Sequence, residues 1–210
     1  SLQPFAGDPH LRVQLVDDGP GGVHLDLHTD DPRAAAGEAI ALGASTVRDA
    51  GDYLTLRSPG GFVFCLVGWG GESRRSRPIR WPGDTISIID QVCIDCPPAV
   101  FDAEVVFWSR LTGWGTRSTS RSELVGLRRD QGLTLGLLLQ RLDETPARVD
   151  GHLAQARAHL DIATTSVPEE VARHEGWGAR VVETFERWTV MADPVGRRYC
   201  ITSRNPRTGG

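Results

Sequence analysis

The stretch HLDLHTDDPRAAAGEAIALGASTVRDAGDYLTLRSPGGFVFC, His24 to Cys65, returns later in the chain as HLDIATTSVPEEVARHEGWGARVVETFERWTVMADPVGRRYC, His159 to Cys200. An offset of 135 lays one on the other without a gap, and ten positions are identical: His24/His159, Leu25/Leu160, Asp26/Asp161, Thr29/Thr164, Gly43/Gly178, Ala44/Ala179, Val47/Val182, Pro59/Pro194, Gly61/Gly196 and Cys65/Cys200. Internal repetition has to be resolved before other fold arguments, because it sets the unit that folds. Each copy predicts the same order of elements. The alternation of VHLDLHT gives a strand. Asp30, Asp31 and Pro32 suit a helix start, and an Ala-rich body follows that ends at Gly43, or at Gly178 in the second copy. Three strands then follow, the last two joined by a tight turn at SPGG or ADPVG. The unit is βαβββ.

Two weaker relatives extend the pattern. DQVCIDCPPAVFDAEVVFWSRLTGWGTR reads as a strand, a Pro-started helix and a stop at Gly113, with Gln91 in place of the histidine. SELVGLRRDQGLTLGLLLQRLDE supplies two more strands. SLQPFAGDPHLRVQLVDD at the start resembles that second segment, with Gln14 over Gln140, so the chain is expected to begin inside a module whose first strand and helix lie upstream. GGESRRSRPIRWPGD, Gly70 to Asp84, has no periodicity and is expected to be a solvated linker, with an anion patch of Arg74, Arg75, Arg77 and Arg80 as the alternative. The resulting division is an α+β chain: residues 1–70, a first domain with an incomplete N-terminal module; 71–84, a linker; 85–206, a second domain of two modules; and 207–210, a tail. The incomplete domain is expected to expose sheet edges and to be completed by upstream residues, by the other domain or by a second copy in a homodimer.

Composition narrows the partners. The 210 residues are 40% hydrophobic and carry a formal net charge of −4, which argues against a general nucleic-acid binder. All 23 basic residues are arginine. No apolar run is long enough to span a bilayer, so no membrane partner is expected. No basic, then apolar, leader opens the chain, so Cys65, Cys93, Cys96 and Cys200 are read as reduced thiols of a cytoplasmic protein.

Paired βαβββ modules carrying HLDL, LGA, SPGGFVFCL and ADPVGRRYCI resemble the vicinal oxygen chelate superfamily, which includes glyoxalase I, bleomycin-resistance proteins and extradiol dioxygenases. The likeness covers essentially the whole chain and is nearest to two-domain actinobacterial glyoxalase-like proteins. It implies curved sheets paired into cups, with metal ligands on the first and last strands of each module. Matched by position, the first-strand sites are His24, Gln91 and His159, and the last-strand sites are Gln14, Cys65, Gln140 and Cys200. No carboxylate falls at the last-strand positions, where the family usually holds a Glu, and hard divalent ions favour anionic oxygen.

The ligand-pocket candidates are therefore His24, Asp26, Cys65, Gln91, Gln140, His159, Asp161 and Cys200, with His159 and Gln91 as the metal candidates. Period-two alternation places Asp26 beside His24 and Asp161 beside His159, where a carboxylate orients an imidazole. Structural roles compete with each of these: histidines fixing the module interface, and cysteines acting as small buried hydrophobes with Phe64 and Tyr199 turned to the helix side. Cys93 and Cys96 face opposite sides of a strand and do not make a CxxC metal motif. Trp108 is expected in the core, Trp114 and Trp177 in the core with a cavity wall as the alternative, and Arg128, Arg129 and Asp130 in a solvent-facing turn. Three functions remain open. The first is small-molecule binding in the cup without a cofactor, as in bleomycin-resistance proteins. The second is a lyase, isomerase or dioxygenase dependent on Zn, Ni, Mn or Fe. The third is a structural or dimerisation module whose cup is filled by side chains.

Overall fold

The computed structural model describes residues 1–17, 21–128, 132–143, 148–149 and 152–209. Arg129 and Asp130 lie outside these, while the neighbouring Arg128 is exposed. The first unit runs β1 (Leu25–Thr29), α1 (Pro32–Ala41), β2 (Ser45–Asp49), β3 (Tyr53–Arg57) and β4 (Val63–Gly68). The short β5 (Ile79–Arg80) leads into β6 (Ile86–Cys96), α2 (Phe101–Thr112), β7 (Thr116–Ser118), β8 (Leu124–Leu127) and β9 (Gly136–Arg141). A two-stranded ribbon, β10 (Arg148–Val149) with β11 (His152–Leu153), precedes β12 (Arg157–Thr164), α3 (Val167–Gly176), β13 (Arg180–Thr184), β14 (Trp188–Ala192) and β15 (Arg198–Thr202).

Helices α1 and α3 occupy the same ten positions at the offset of 135. Asp31 caps α1 by accepting from the backbone N–H groups of Arg33 and Ala34, both at 3.0 Å, a contribution of about 1 kcal/mol. Gly43 and Gly178 follow the two helices at φ +104° and +91°, a left-handed turn that a side chain disfavours.

Two sheets result. The first unit forms a four-stranded sheet ordered β1-β4-β3-β2, which leaves the outer edge of β1 without a strand partner among the described residues. The second forms one curved, unclosed sheet ordered β13-β14-β15-β12-β6-β9-β8-β7, with β5 on β6. Its two halves join where β6 and β12 pair antiparallel from Arg157↔Asp95 to Thr164↔Ser87, with a register shift between Asp161 and Ile162. The architecture is α+β, as the repeat implied. Residues 1–17 differ from their expectation. They carry only an isolated bridge between Leu2 and Leu11, and Gln14 is exposed and outside any strand. Val13 and Leu15 are exposed.

One core serves both units. Leu54, Leu56, Phe64 and Leu66 from the first sheet meet Ala36 and Ala39 of α1 on one side and Phe107 and Trp108 of α2 on the other. Phe64 packs edge-to-face on Trp108, with centroids 5.0 Å apart. Trp108 is fully buried, as expected. A smaller core of Ile162, Met191 and Ile201 lies under α3.

The units are also joined by a polar contact. Glu104 of α2 is fully buried, accepting from the Gly60 N–H at 2.6 Å and from the Trp108 indole N–H at 2.7 Å. Burial pushes its carboxyl above the ordinary value of 4.5, against the pull of these donors. Stability from this group is therefore full below about pH 4.5 and falls as pH rises through the raised value. Glu104→Gln should flatten that part of the pH dependence in urea unfolding followed from pH 4 to 8. Glu104→Ala should cost about 1–3 kcal/mol for each donor left without an acceptor.

Candidate functional site

Alternation along the strands carries one set of side chains into the cup of the second unit: Gln91, Cys93 and Asp95 from β6, His159 and Asp161 from β12, Gln140 from β9 and Cys200 from β15. Register brings them together, with His159 opposite Cys93, Asp161 opposite both Gln91 and Cys200, and Asp95 opposite Gln140. His159 is the hub. Its Nδ1 lies 2.8 Å from Asp95 Oδ2, and since a carboxylate can only accept, Nδ1 carries the proton there. Its Nε2 lies 3.3 Å from Asp161 Oδ1 and 3.5 Å from Cys200 Sγ.

The charges are strongly coupled. Burial works against a charged His159, but Cys93, Asp161, Asp95 and Cys200 outweigh it and hold the ring well above its ordinary 6.5. Burial raises the Cys200 thiol, and it pushes Cys93 up to about 12. Gln91 is engaged on both sides: its Nε2 donates to Asp161 Oδ2 at 2.6 Å, and its Oε1 accepts from Arg204. Arg204 also donates to the buried Asp90 at 2.6 Å.

Six of the eight sequence candidates follow the two-copy logic. His159, Asp161 and Cys200 converge, and His24, Asp26 and Cys65 form the same trio in the first unit. There His24 Nε2 lies 3.2 Å from Asp26 Oδ1, with side chains 46% and 32% exposed, so that trio is open where the other is walled. Gln91 joins the walled cluster through Asp161, and Gln140 reaches it through Cys93 at 3.8 Å. The last-strand positions carry no carboxylate; Asp161, a sequence candidate, and Asp95 stand in the cup on the first strands of the two modules. Asp95 and Cys93 were missed as site residues. The alternation that linked His24 to Asp26 also links Gln91, Cys93 and Asp95. Cys96 faces the core, as the strand geometry required.

A cation can be tested against this cluster. Asp161 Oδ1 is buried and accepts no hydrogen bond. It faces His159 Nε2 and Cys200 Sγ, and the ligand atoms of the trio lie within 4.8 Å of one another. Tetrahedral zinc with N, O and S ligands needs separations of about 3.3–3.5 Å between them. The two separations from His159 Nε2, 3.3 Å to Asp161 and 3.5 Å to Cys200, match that spacing, so the donor set suits a zinc-class ion, with Asp95 behind His159 as the orienting carboxylate. Gln91 does not fit as a ligand here, because its amide oxygen is held by Arg204.

A cavity of ≈ 810 Å³ lies elsewhere, along the open edge of β1 and walled by Leu25, Leu27, Trp69, Trp114 and Leu137. No member of the His159 cluster lines it. Its imidazoles are engaged, His10 on Ile89 O and Ser76 and His28 on Glu72, and the sequence candidate Asp26 also lines it. Trp114 does line this cavity, whereas Trp177 is 58% exposed and packs on Trp81.

The model of the glyoxalase-like domain matches residues 2–67 and 91–202. The chain belongs to this family. Solved structures with the same fold include a triple mutant of 4-hydroxymandelate synthase from Streptomyces coelicolor, at 14% identity and TM-score 0.54, covering 88% of this chain and 72% of that one. A second is 2,2',3-trihydroxybiphenyl 1,2-dioxygenase from Sphingomonas wittichii, at 15% identity and TM-score 0.53, covering 86% and 69%. A third is the 2,3-dioxygenase LapB from Pseudomonas sp. KL28, at 13% identity and TM-score 0.52, covering 81% and 66%. With the family match, these shared folds support membership of the vicinal oxygen chelate superfamily. No curated protein sequence matches it. Among the described residues, no helix is long and apolar enough to cross a membrane.

Removing one carboxylate from the hub should be visible directly. In metal-free protein, Asp95→Asn should lower the His159 titration, read by nitrogen-15 NMR of the imidazole. The stability supplied by the charged ring is full below pH 6.5 and is lost as pH rises through the raised value; in the variant that loss should begin at lower pH. An unchanged titration would contradict the hydrogen bond to Nδ1.

Proposed function

We propose that this glyoxalase-like protein is a metal-dependent enzyme of the lyase, isomerase or dioxygenase type, holding a zinc-class ion through His159, Asp161 and Cys200. The observation that carries this reading is the unsatisfied Asp161 Oδ1 facing His159 Nε2 and Cys200 Sγ. When bound, such an ion polarises an oxygen of a small substrate as a Lewis acid. The chain does the rest. Asp95 fixes the His159 ring and its tautomer, and stands as the carboxylate nearest the ligand set that can exchange a proton with a substrate. Arg204 and Asp161 hold the Gln91 amide still at the edge of the site. The raised His159 and Cys200 values mean that an ion displaces protons on binding, so affinity falls as pH falls.

A second reading keeps the cup free of metal and uses it only to bind a small molecule, as bleomycin-resistance proteins do. Two features favour it: Gln91 is locked by Arg204, and the charged His159 ring already stands between Asp95 on Nδ1 and Asp161 on Nε2, where a cation would compete with it. Elemental mass spectrometry of protein purified without a polyhistidine tag or chelator separates the two. The metal reading expects about one ion per chain, lost in His159→Ala and reduced in Cys200→Ser, with affinity about 10–100-fold weaker in Asp95→Asn. No uptake after incubation with Zn²⁺, Ni²⁺, Mn²⁺ and Fe²⁺ overturns it in favour of metal-free binding.

A further inference from the structure

The stretch expected as a solvated linker is anchored instead. Arg75, Arg77, Arg80 and Arg207 line a cleft of ≈ 400 Å³ that reaches Ile86. The backbone presenting the first two is clamped. Asp8 Oδ2 accepts from the N–H groups of Ser73 and Arg74, both at 2.7 Å. The Arg77 N–H donates to Ala6 O at 3.0 Å, and the Ser76 N–H to Thr134 Oγ1 at 2.9 Å. Gly7, at φ +91°, passes so close that a Cβ there would lie 2.4 Å from Arg75 O. Arg75 in turn donates to the carbonyl of Arg207 at 2.7 Å, tying the two walls together. The backbone of this stretch and the Arg75 guanidinium are thus held before any ligand arrives, which removes part of the ordering cost of binding.

Their charge is only half balanced. Arg75 faces Asp90 at 3.8 Å and Arg80 pairs with Asp84 at 2.8 Å. Among the described residues, no carboxylate pairs with Arg77 or Arg207, and Arg75 Nε is buried without an acceptor. A planar fork of N–H donors matches an oxyanion, and a phosphate concentrates more charge and more acceptors on one centre than a carboxylate does. Behind the cleft, a line of polar contacts runs from Arg75 to Asp90, from Asp90 to Arg204, and from Arg204 to Gln91, which donates to Asp161 in the cup.

We propose that this cleft binds a small phosphate-bearing anion, and that its occupation is felt in the cup through Arg75, Asp90, Arg204 and Gln91. An anion that draws on Arg75 weakens its hold on Asp90, and Arg204 then redistributes between Asp90 and Gln91. The inference does not depend on a metal or on catalysis.

Titration calorimetry with inorganic phosphate and pyrophosphate, with citrate as the carboxylate control, tests the site. One saturable site is expected, tighter for pyrophosphate than for citrate. Arg77→Glu and Arg207→Glu should each weaken it about tenfold or more, since each reverses a charge facing the anion. Both residues are at the surface, and an unchanged melting temperature will show that the variants fold. The Gln91 side-chain amide signals should shift along the same binding curve, and should stay still in Arg77→Glu. No saturable binding of either phosphate overturns the site, as does binding that both variants leave intact. Tighter binding of citrate overturns the ligand class. Saturable binding with unmoved Gln91 signals overturns the link to the cup.

Discussion

The antiparallel register of β6 against β12 decides which side chains meet in the cup. Pairing His159 with Cys93 and Asp161 with Gln91 puts two carboxylates, a thiol, an imidazole and an amide on one concave face. A slip of one residue would turn all of them to the helix side, where Ile94 and Leu160 now point, and would bring those apolar groups into the cup. The register shift beside Asp161 matters for the same reason. It takes Asp90 out of the alternation, so that this buried carboxylate is met by Arg204 and Arg75 while Gln91 stays in the cup.

Much of this was legible in the sequence. The offset of 135 located both long copies, and each helix and strand of one has its counterpart in the other within a residue or two at most ends. Asp31 as a cap, Gly43 and Gly178 as stops, and Phe64 and Tyr199 on the helix side all followed from local chemistry. What one strand's alternation could not give was distance across the sheet. Asp95 reaches His159 only because β6 and β12 lie side by side in a particular register. Arg204 reaches Gln91 and Asp90 from beyond the last strand, and no period in the sequence announces that. Gln14 fails for a related reason. Its segment resembles β9, but β9 is ordered by the strands beside it, whereas among the described residues 11–17 pair only through the Leu11 bridge to Leu2.

The two copies of the His-Asp-Cys trio show how context divides one inherited pattern. In the second unit, β6 brings Gln91, Cys93 and Asp95 alongside, and the trio is desolvated and charge-coupled. In the first, the edge of β1 is open, His24 is half exposed, and water screens its pairing with Asp26. Identical residues at identical positions therefore differ in burial and in the groups they meet.

The core beneath Phe64, Phe107 and Trp108 has no seam between the units, and the buried Glu104 bridges across it from α2 to the turn before β4. Opening the first unit would strip apolar cover from α2, and losing α2 would take away the support of β9 and the floor of the cup. Heat or denaturant should therefore meet a single cooperative block, not two independent lobes, and damage at the small sheet should reach the His159 cluster through the shared packing.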